Sequence, residues 1–137
     1  MADCVFCKIV AKQIPATVVH EDEHTLAFMD IGQVNPGHVL VAVKKHAENI
    51  FALDDAQAAA VFRAAAKVAR AIRSAFEPQG LSVYQANGAA AGQTVMHLHI
   101  HLVPRHDGDG MALTWPVKNP PRERLAEYAQ KIRAKLA

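Results

Sequence analysis

Three histidines at alternating positions are the first residues of this sequence that could do chemistry. Imidazole and aliphatic side chains alternate in the segment His97-Leu98-His99-Ile100-His101-Leu102-Val103. Because successive side chains of a β-strand point to opposite faces, a strand here places all three histidines on one face, about 6.6 Å apart from one Cα to the next. The aliphatic residues then face the core. Neutral imidazole can serve such a row as nucleophile, proton carrier or metal ligand.

The residue types alone leave three uses of this row open. The histidines could react with a phosphate, hold a metal ion, or face solvent without a function. Ligands at positions i and i+2 of a strand can share one metal, but three in a straight row rarely converge on a single ion. Strict alternation of three histidines argues against chance decoration of a solvent-facing strand. The pattern therefore favours phosphate chemistry, with a three-histidine metal centre as the alternative.

Length and composition predict one cytoplasmic domain that spans residues 1–137. The chain is 51% hydrophobic, which suits a single buried core. Its net charge of +2 is too small, and its basic residues too scattered, for a groove that binds polymeric nucleic acid. No segment approaches the ~20 apolar residues that cross a bilayer, and the start Met1-Ala2-Asp3-Cys4 lacks a secretory signal. We therefore expect neither nucleic-acid polymer nor membrane as a partner.

Short strands and one long helix are predicted to position the histidines. Strand-like segments cover residues 17–19, 25–30, 38–43, 81–85 and 96–103, with turn residues between several of them. Apolar residues recur at helical spacing from about Asp54 to Phe76, with Asp54 or Asp55 as N-cap. A shorter helical pattern covers residues 122–136. The fold class predicted is α+β, an antiparallel sheet of about five strands with one main helix and short terminal helices.

The chain resembles the histidine-triad (HIT) family, and within it the Hint-like nucleotide-binding proteins and hydrolases. The resemblance begins with the histidine segment and extends to four others: Cys4-Val5-Phe6-Cys7-Lys8-Ile9, Phe28-Met29-Asp30-Ile31, Pro36-Gly37-His38 and Ala91-Gly92-Gln93-Thr94-Val95. It implies the histidine-triad fold, a purine nucleotide bound at the sheet, and a homodimer formed by joining two sheets. It also implies covalent catalysis through the middle histidine.

The resemblance assigns catalytic roles to four histidines. His99 is expected to attack the α-phosphate and form a nucleotidyl-histidine, which water then resolves. An imidazole attacks only when neutral, so its other nitrogen must donate a hydrogen bond, for which we expect a backbone carbonyl acceptor. His101 is placed to donate to a phosphate oxygen, and His38 resembles the fourth histidine that closes on the same phosphate. His97 completes the set.

Seven further residues are expected to contact the substrate. Asp30 suits ribose hydroxyls, because a carboxylate accepts hydrogen bonds and has none to donate. The backbone of Gly92 can approach a ligand closely. Ile31 and Phe6 are expected to form apolar walls for the base. Gln93 and Thr94, just before the histidine strand, are expected to donate to the phosphate. Asn87 is expected to contact the phosphate or the ribose.

A structural zinc is a separate expectation. In a reducing compartment, cysteines spaced like Cys4 and Cys7 indicate a metal-binding or redox-active pair. Some relatives with this Cys-x-x-Cys start complete the site with two histidines, which correspond here to His46 and His97. Such a closed Cys₂His₂ set holds the N-terminal segment to the sheet and leaves no open position for chemistry. We expect no organic cofactor.

Three functions remain open at the level of the sequence. The first is a purine nucleoside phosphoramidase, which acts on phosphoramidate derivatives of nucleoside monophosphates such as AMP. The second is a dinucleoside polyphosphate hydrolase. The third is a nucleotide-binding regulatory protein with little turnover. The short chain, which has little extra structure to hold a second nucleoside, favours the phosphoramidase.

Overall fold

A computed structural model describes residues 3–112 and 114–136, which are built around a five-stranded antiparallel sheet. The spatial order of the strands is β1-β2-β3-β5-β4, so β5 lies between β3 and β4. The histidine strand therefore has a hydrogen-bonded neighbour on each side. The strands are β1 (Val18–Glu21), β2 (Thr25–Met29), β3 (Val39–Val43), β4 (Gly80–Tyr84) and β5 (His99–Arg105).

Three α-helices accompany the sheet: α1 (Val5–Val10), α2 (Asp55–Phe76) and α3 (Arg122–Arg133). Helix α2 begins with a capping box, in which Asp54 accepts from the backbone N–H of Gln57 and the Gln57 side chain accepts from that of Asp54. Its C-cap is Glu77, whose backbone is left-handed with φ of 46°. Two 3₁₀ turns lie in the loops, at Ile50–Ala52 and Ala89–Ala91.

The sheet buries apolar side chains on both faces. On one face, Ile100 and Leu102 of β5 pack with alternate residues of β3 against α2. The opposite face carries a smaller cluster that includes Phe6 of α1 and Phe28 of β2. In the β3–β5 register, Leu40 pairs with His101 and Ala42 pairs with His99. Alternation along β5 thus separates its apolar residues from its histidines.

The predicted fold class is confirmed, with differences at element ends. Strand β5 begins at His99 and not at residue 96, because the N–H of Leu98 donates to the carbonyl of Ala47 at 2.7 Å, outside the β5 ladder. His97 therefore lies in the segment that enters the strand. Helix α3 ends at Arg133, and its apolar residues Leu125, Tyr128 and Ile132 remain exposed.

Crossing a bilayer takes a long and apolar helix. None of the helices in the described residues meets both conditions.

Candidate active site and metal centre

A cavity of about 400 Å³ opens on the α1 side of the sheet. Its volume is in the range of small-molecule binding sites. Several expected site residues from distant parts of the sequence line its wall, because α1, β2, β3 and β5 meet there. These residues are Phe6, Asp30, Ile31, Thr94, His99 and His101.

His99 is held in one orientation by a backbone carbonyl. Its Nδ1 lies 2.6 Å from the carbonyl oxygen of His97, and since a carbonyl can only accept, Nδ1 donates. The Phe6 ring packs nearly perpendicular to the imidazole, with ring centroids 4.9 Å apart. In the neutral ring, Nε2 then carries the lone pair. This is the orientation that the sequence predicts for a nucleophile.

Burial keeps His99 neutral at physiological pH. Burial lowers the pKa of His99 below its ordinary value of 6.5. The hydrogen bond to His97 and the charge of Asp30 both raise this pKa, but burial has the larger effect. The site therefore offers an uncharged, reactive imidazole nitrogen in a cavity of ligand size.

A chain of hydrogen bonds fixes the other two rings. The backbone N–H of Val34 donates to His38 Nδ1 at 3.3 Å, which leaves the ring proton of neutral His38 on Nε2. His38 Nε2 lies 2.9 Å from His101 Nδ1 and donates to it. The proton of neutral His101 is then on Nε2, available to a ligand in the cavity. This arrangement suits the donor role expected of His101.

The pKa directions agree with this chain. Burial, followed by the neighbouring rings of His99 and His38, lowers the pKa of His101 to about 4 despite the charge of Asp30. Burial also lowers the pKa of His38, again against Asp30. Both rings are consequently neutral at pH 7, as the hydrogen bond between them requires.

Asp30 completes this cluster at the end of β2. Its Oδ2 lies 3.4 Å from His38 Nε2 and 3.8 Å from His101 Nδ1. These three ligand atoms are close enough together to hold a metal ion. A cation on His38 Nε2, however, would put the ring proton on Nδ1, facing the donor N–H of Val34. Hydrogen bonding accounts for the cluster better than metal binding does.

Two of the expected phosphate or ribose contacts point away from the cavity. The side chain of Gln93 is buried, where it accepts from the N–H of Gly88 and donates to the carbonyls of Glu48 and Val95. Asn87 accepts from the N–H of Ile50 at 2.7 Å and pairs with the Gln85 side chain. These two amides brace the β4–β5 loop and do not line the cavity. Thr94 of the same loop does line it.

A second constellation lies beside the cavity. Cys4, Cys7, His46 and His97 bring two sulfurs and two Nδ1 atoms within 4.8 Å of one another. The two Nδ1 atoms are 3.2 Å apart. His97 Nδ1 lies 3.3 Å from the sulfur of Cys4 and 3.5 Å from that of Cys7, and His46 Nδ1 lies 3.3 Å from the sulfur of Cys7. These separations are close to the edges of a tetrahedron with Zn–N of about 2.0 Å and Zn–S of about 2.3 Å. The donor set therefore fits zinc.

The surroundings of this constellation also suit a metal. His97 Nε2 donates to the carbonyl of Val43 at 2.6 Å, which directs the lone pair of Nδ1 toward the sulfurs. Burial, with a further contribution from Cys4, raises the pKa of the Cys7 thiol. A cation reverses this preference, because the metal ligand is the thiolate.

Sequence reasoning missed two residues of the site, Gln33 and Val34. Their signal was the turn composition around Asn35-Pro36-Gly37, which predicts a loop but no side-chain partner. The four hydrogen bonds of Gln33, described below, depend on the three-dimensional path of that loop.

Comparison with known proteins agrees with this geometry. The family model described as "HIT domain" matches residues 11–108. A crystal structure of a HIT-family protein from Bacillus subtilis is 46% identical, with a TM-score of 0.94 over 98% of both chains. The chain therefore belongs to the HIT family.

Two further relatives bear on the sites. Adenosine 5′-monophosphoramidase hnt1 of Schizosaccharomyces pombe is 34% identical over 97% of this chain and 98% of its own length. A zinc-bound histidine triad family protein from Mycobacterium smegmatis is 34% identical, with a TM-score of 0.76 over 98% of this chain and 99% of its own.

Proposed function

We propose that the protein hydrolyses purine nucleotides at the α-phosphate through a covalent bond to His99, with nucleoside phosphoramidates as substrates. One observation carries the proposal: the hydrogen bond from His99 Nδ1 to the His97 carbonyl leaves Nε2 unprotonated on a ring that lines the cavity. The similarity to an adenosine 5′-monophosphoramidase over nearly the whole chain supports this choice of substrate.

The proposed reaction has two displacements. His99 Nε2 attacks the α-phosphorus and forms a phosphorus–nitrogen bond, while the leaving amine departs with the electrons of its own bond and takes up a proton from solvent. Water then attacks the same phosphorus and releases the nucleoside monophosphate. The broken bond returns its electron pair to Nε2, and the proton lost by the water goes to solvent. His101 Nε2–H, set by His38, donates to a phosphate oxygen as charge builds up.

The other proposed contacts follow the cavity wall. Asp30 accepts from the ribose hydroxyls, and Phe6 and Ile31 flank the base. Thr94 is the proposed phosphate donor of the β4–β5 loop. The N–H of Gly92 donates to the carbonyl of Ala89 at 3.0 Å, so the proposed role of Gly92 is the close backbone approach that its missing side chain allows. For Asn87 and Gln93, the hydrogen bonds that tie this loop to Ile50 and Glu48 favour a supporting role for the loop that carries Thr94.

Substitution of His99 tests the nucleophile. His99→Ala should bind AMP within about threefold of wild type but lose at least about 99% of kcat on adenosine 5′-phosphoramidate, because it removes the nucleophile and keeps most ground-state contacts. Surface His24 provides the matched control, since His24→Ala should retain both properties. Retention of more than about a tenth of kcat by His99→Ala contradicts the proposal.

The stereochemistry at phosphorus tests the covalent step directly. Two in-line displacements retain configuration at a chiral α-phosphorus, whereas one attack by water inverts it. Retention is the expected result, and inversion contradicts the role of His99. Turnover of a diadenosine polyphosphate in preference to the phosphoramidate would instead identify a polyphosphate hydrolase. Binding without turnover of either would identify a regulatory protein.

We also propose that Cys4, Cys7, His46 and His97 hold a structural zinc ion. A closed four-ligand site adds no catalytic group, so the ion would fasten α1 to the start of β5. Elemental analysis should find about one zinc per chain, and a chelator should lower the melting temperature while turnover persists at mild temperature. Cys7→Ser should lose the zinc, and the control His20→Asn should keep it. Metal-free protein with an unchanged melting curve contradicts this proposal.

The proposed assembly is a homodimer that joins two sheets through β4. Strand β4 is at the edge of the sheet, where its unpaired backbone can accept another strand. Beside it, α2 and the 3₁₀ turn at Ile50–Ala52 border an apolar cavity of about 320 Å³. Phe62 and Val83 line this cavity and are 63% and 53% exposed. A second copy would cover these side chains.

A further inference from the structure

The β2–β3 loop, residues 30–38, begins with Asp30 and ends with His38, and one glutamine side chain ties its ends together. Gln33 Nε2 donates to the carbonyls of Asp30 at 2.5 Å and His38 at 2.7 Å. Gln33 Oε1 accepts from the N–H groups of Gly37 and His38, both at 3.0 Å. The exposed carboxamide thus makes four hydrogen bonds to the backbone of its own loop.

Gln33 therefore helps to place His38, together with the backbone hydrogen bonds of His38 to Asn35 and Asp30. Both backbone polar groups of His38 are bonded to Gln33, and the next residue, Val34, supplies the N–H that donates to His38 Nδ1. Because that N–H requires a lone pair, the loop conformation determines which nitrogen of His38 carries the proton. His38 Nε2 in turn donates to His101 Nδ1.

We propose that Gln33 is a positioning residue that sets the tautomers of His38 and His101 by holding the β2–β3 loop against β5. With the loop in place, His101 presents Nε2–H to the cavity. Without Gln33, the Val34 N–H loses its alignment with His38. Only the longer contact of Asp30 Oδ2 with His38 Nε2, at 3.4 Å, then favours the original tautomer, and both rings sample two tautomers. The effect on turnover rests on the proposed function, whereas the effect on the tautomers does not.

Nuclear magnetic resonance of the imidazole nitrogens tests this proposal without any substrate. Gln33→Met keeps the approximate length of the side chain but removes all four hydrogen bonds. In ¹H–¹⁵N spectra, wild type should show protonated Nε2 in both His38 and His101, and Gln33→Met should show mixed tautomers in both. The half-buried His20 and the exposed His24 lie outside this loop and provide internal references that should not change.

A second glutamine provides the matched control. Gln79 also bonds across a loop: its Nε2 donates to the Asp107 carboxylate, and its Oε1 accepts from the Asp107 N–H. Gln79 is not among the residues that line the cavity. Gln79→Met should leave the His38 and His101 signals unchanged. If Gln33→Met fails to fold, Gln33→Asn allows the same comparison, because it keeps the amide but is one methylene too short to reach its four partners.

Turnover provides an independent readout. Gln33→Met should lower kcat about tenfold, because His101 then presents Nε2–H only part of the time. The dissociation constant of AMP should change by less than about threefold, because the N–H of Asp30 still donates to the carbonyl of His38 and keeps Asp30 in place. In a His38→Ala background, Gln33→Met should cause no further loss of kcat, because it acts through His38.

Two results would overturn the proposal. One is the same pair of tautomers in wild type and Gln33→Met. The other is an equal loss of kcat from Gln33→Met with and without His38. If the wild-type protein turns over no nucleotide, the proposed function fails, and the tautomer comparison still decides the role of Gln33.

Discussion

Three chemically identical side chains of the histidine row have different surroundings. His97 is fully buried, with Nδ1 facing two cysteines and Nε2 bonded to a carbonyl. His99 lines the cavity and is oriented by the His97 carbonyl. His101 takes its tautomer from His38. A single backbone segment thus joins the candidate metal centre to the candidate nucleophile, because the His97 side chain faces the first and the His97 carbonyl orients the second.

The environment of His99 predicts the pH dependence of turnover. Burial lowers its pKa below 6.5, so the ring stays neutral and reactive as the pH falls to that value. The acid limb of kcat/KM for adenosine 5′-phosphoramidate should therefore have its midpoint below pH 6.5. A pH–rate profile measures this directly, and circular dichroism at each pH checks that the protein remains folded. A midpoint above 6.5 would show that protonated His99 persists at higher pH than the burial allows.

At the scale of elements, the β2–β3 loop and the end of α2 fit together at Gly37. This glycine has φ of +97°, in the region that side chains with a Cβ avoid. A Cβ at residue 37 would also lie 2.8 Å from the ring of Phe76, the last residue of α2. The turn that delivers His38 to the site therefore requires glycine for two independent reasons.

Substitution of two glycines can separate these reasons. Gly37→Ala should lower the free energy of unfolding by about 2–4 kcal/mol, since it adds overpacking to backbone strain. Gly108 has φ of +73° but open space around it, so Gly108→Ala should cost only the strain, about 1 kcal/mol. Urea denaturation measures both values. Equal losses would mean that the Phe76 ring moves aside without cost.

At the scale of the whole molecule, the two edges of the sheet differ in what lies beside them. Strand β4 borders the apolar cavity lined by Phe62 and Val83, whereas β1 is at the opposite edge. An exposed valine occurs on each edge strand, Val83 on β4 and Val19 on β1. The same substitution can therefore be made at both edges, one as the test of the proposed dimer interface and the other as its control.

The dimer proposal predicts different outcomes for the two edges. Wild type should have twice the 14.9 kDa mass of one chain by light scattering. Val83→Asp should give the mass of one chain, because it places a charge in the proposed apolar interface. Val19→Asp should leave the dimer intact. A monomer from Val19→Asp, or an intact dimer from Val83→Asp, would locate the interface elsewhere.

The sequence by itself determined the elements whose signals are local. Helical periodicity and Asp54 predicted α2, and alternation predicted which side of β5 carries the imidazoles. The resemblance brought Asp30, Phe6 and Thr94 into the expected site, and the structure places all three on the cavity wall. Local patterns suffice for α2 and β5 because each pattern depends on neighbouring residues of one segment.

Only the tertiary structure decided how distant groups meet. The sequence predicted that β5 begins at residue 96, but the strand begins at His99. The N–H of Leu98 donates to the carbonyl of Ala47, which belongs to another loop. Asn87 and Gln93 bond both to the β4–β5 loop and to Ile50 and Glu48, which lie between β3 and α2. Gln33 bonds to the backbone around His38. A side-chain amide has several donors and acceptors and no preferred sequence separation, so its partners depend on the folded path of the chain.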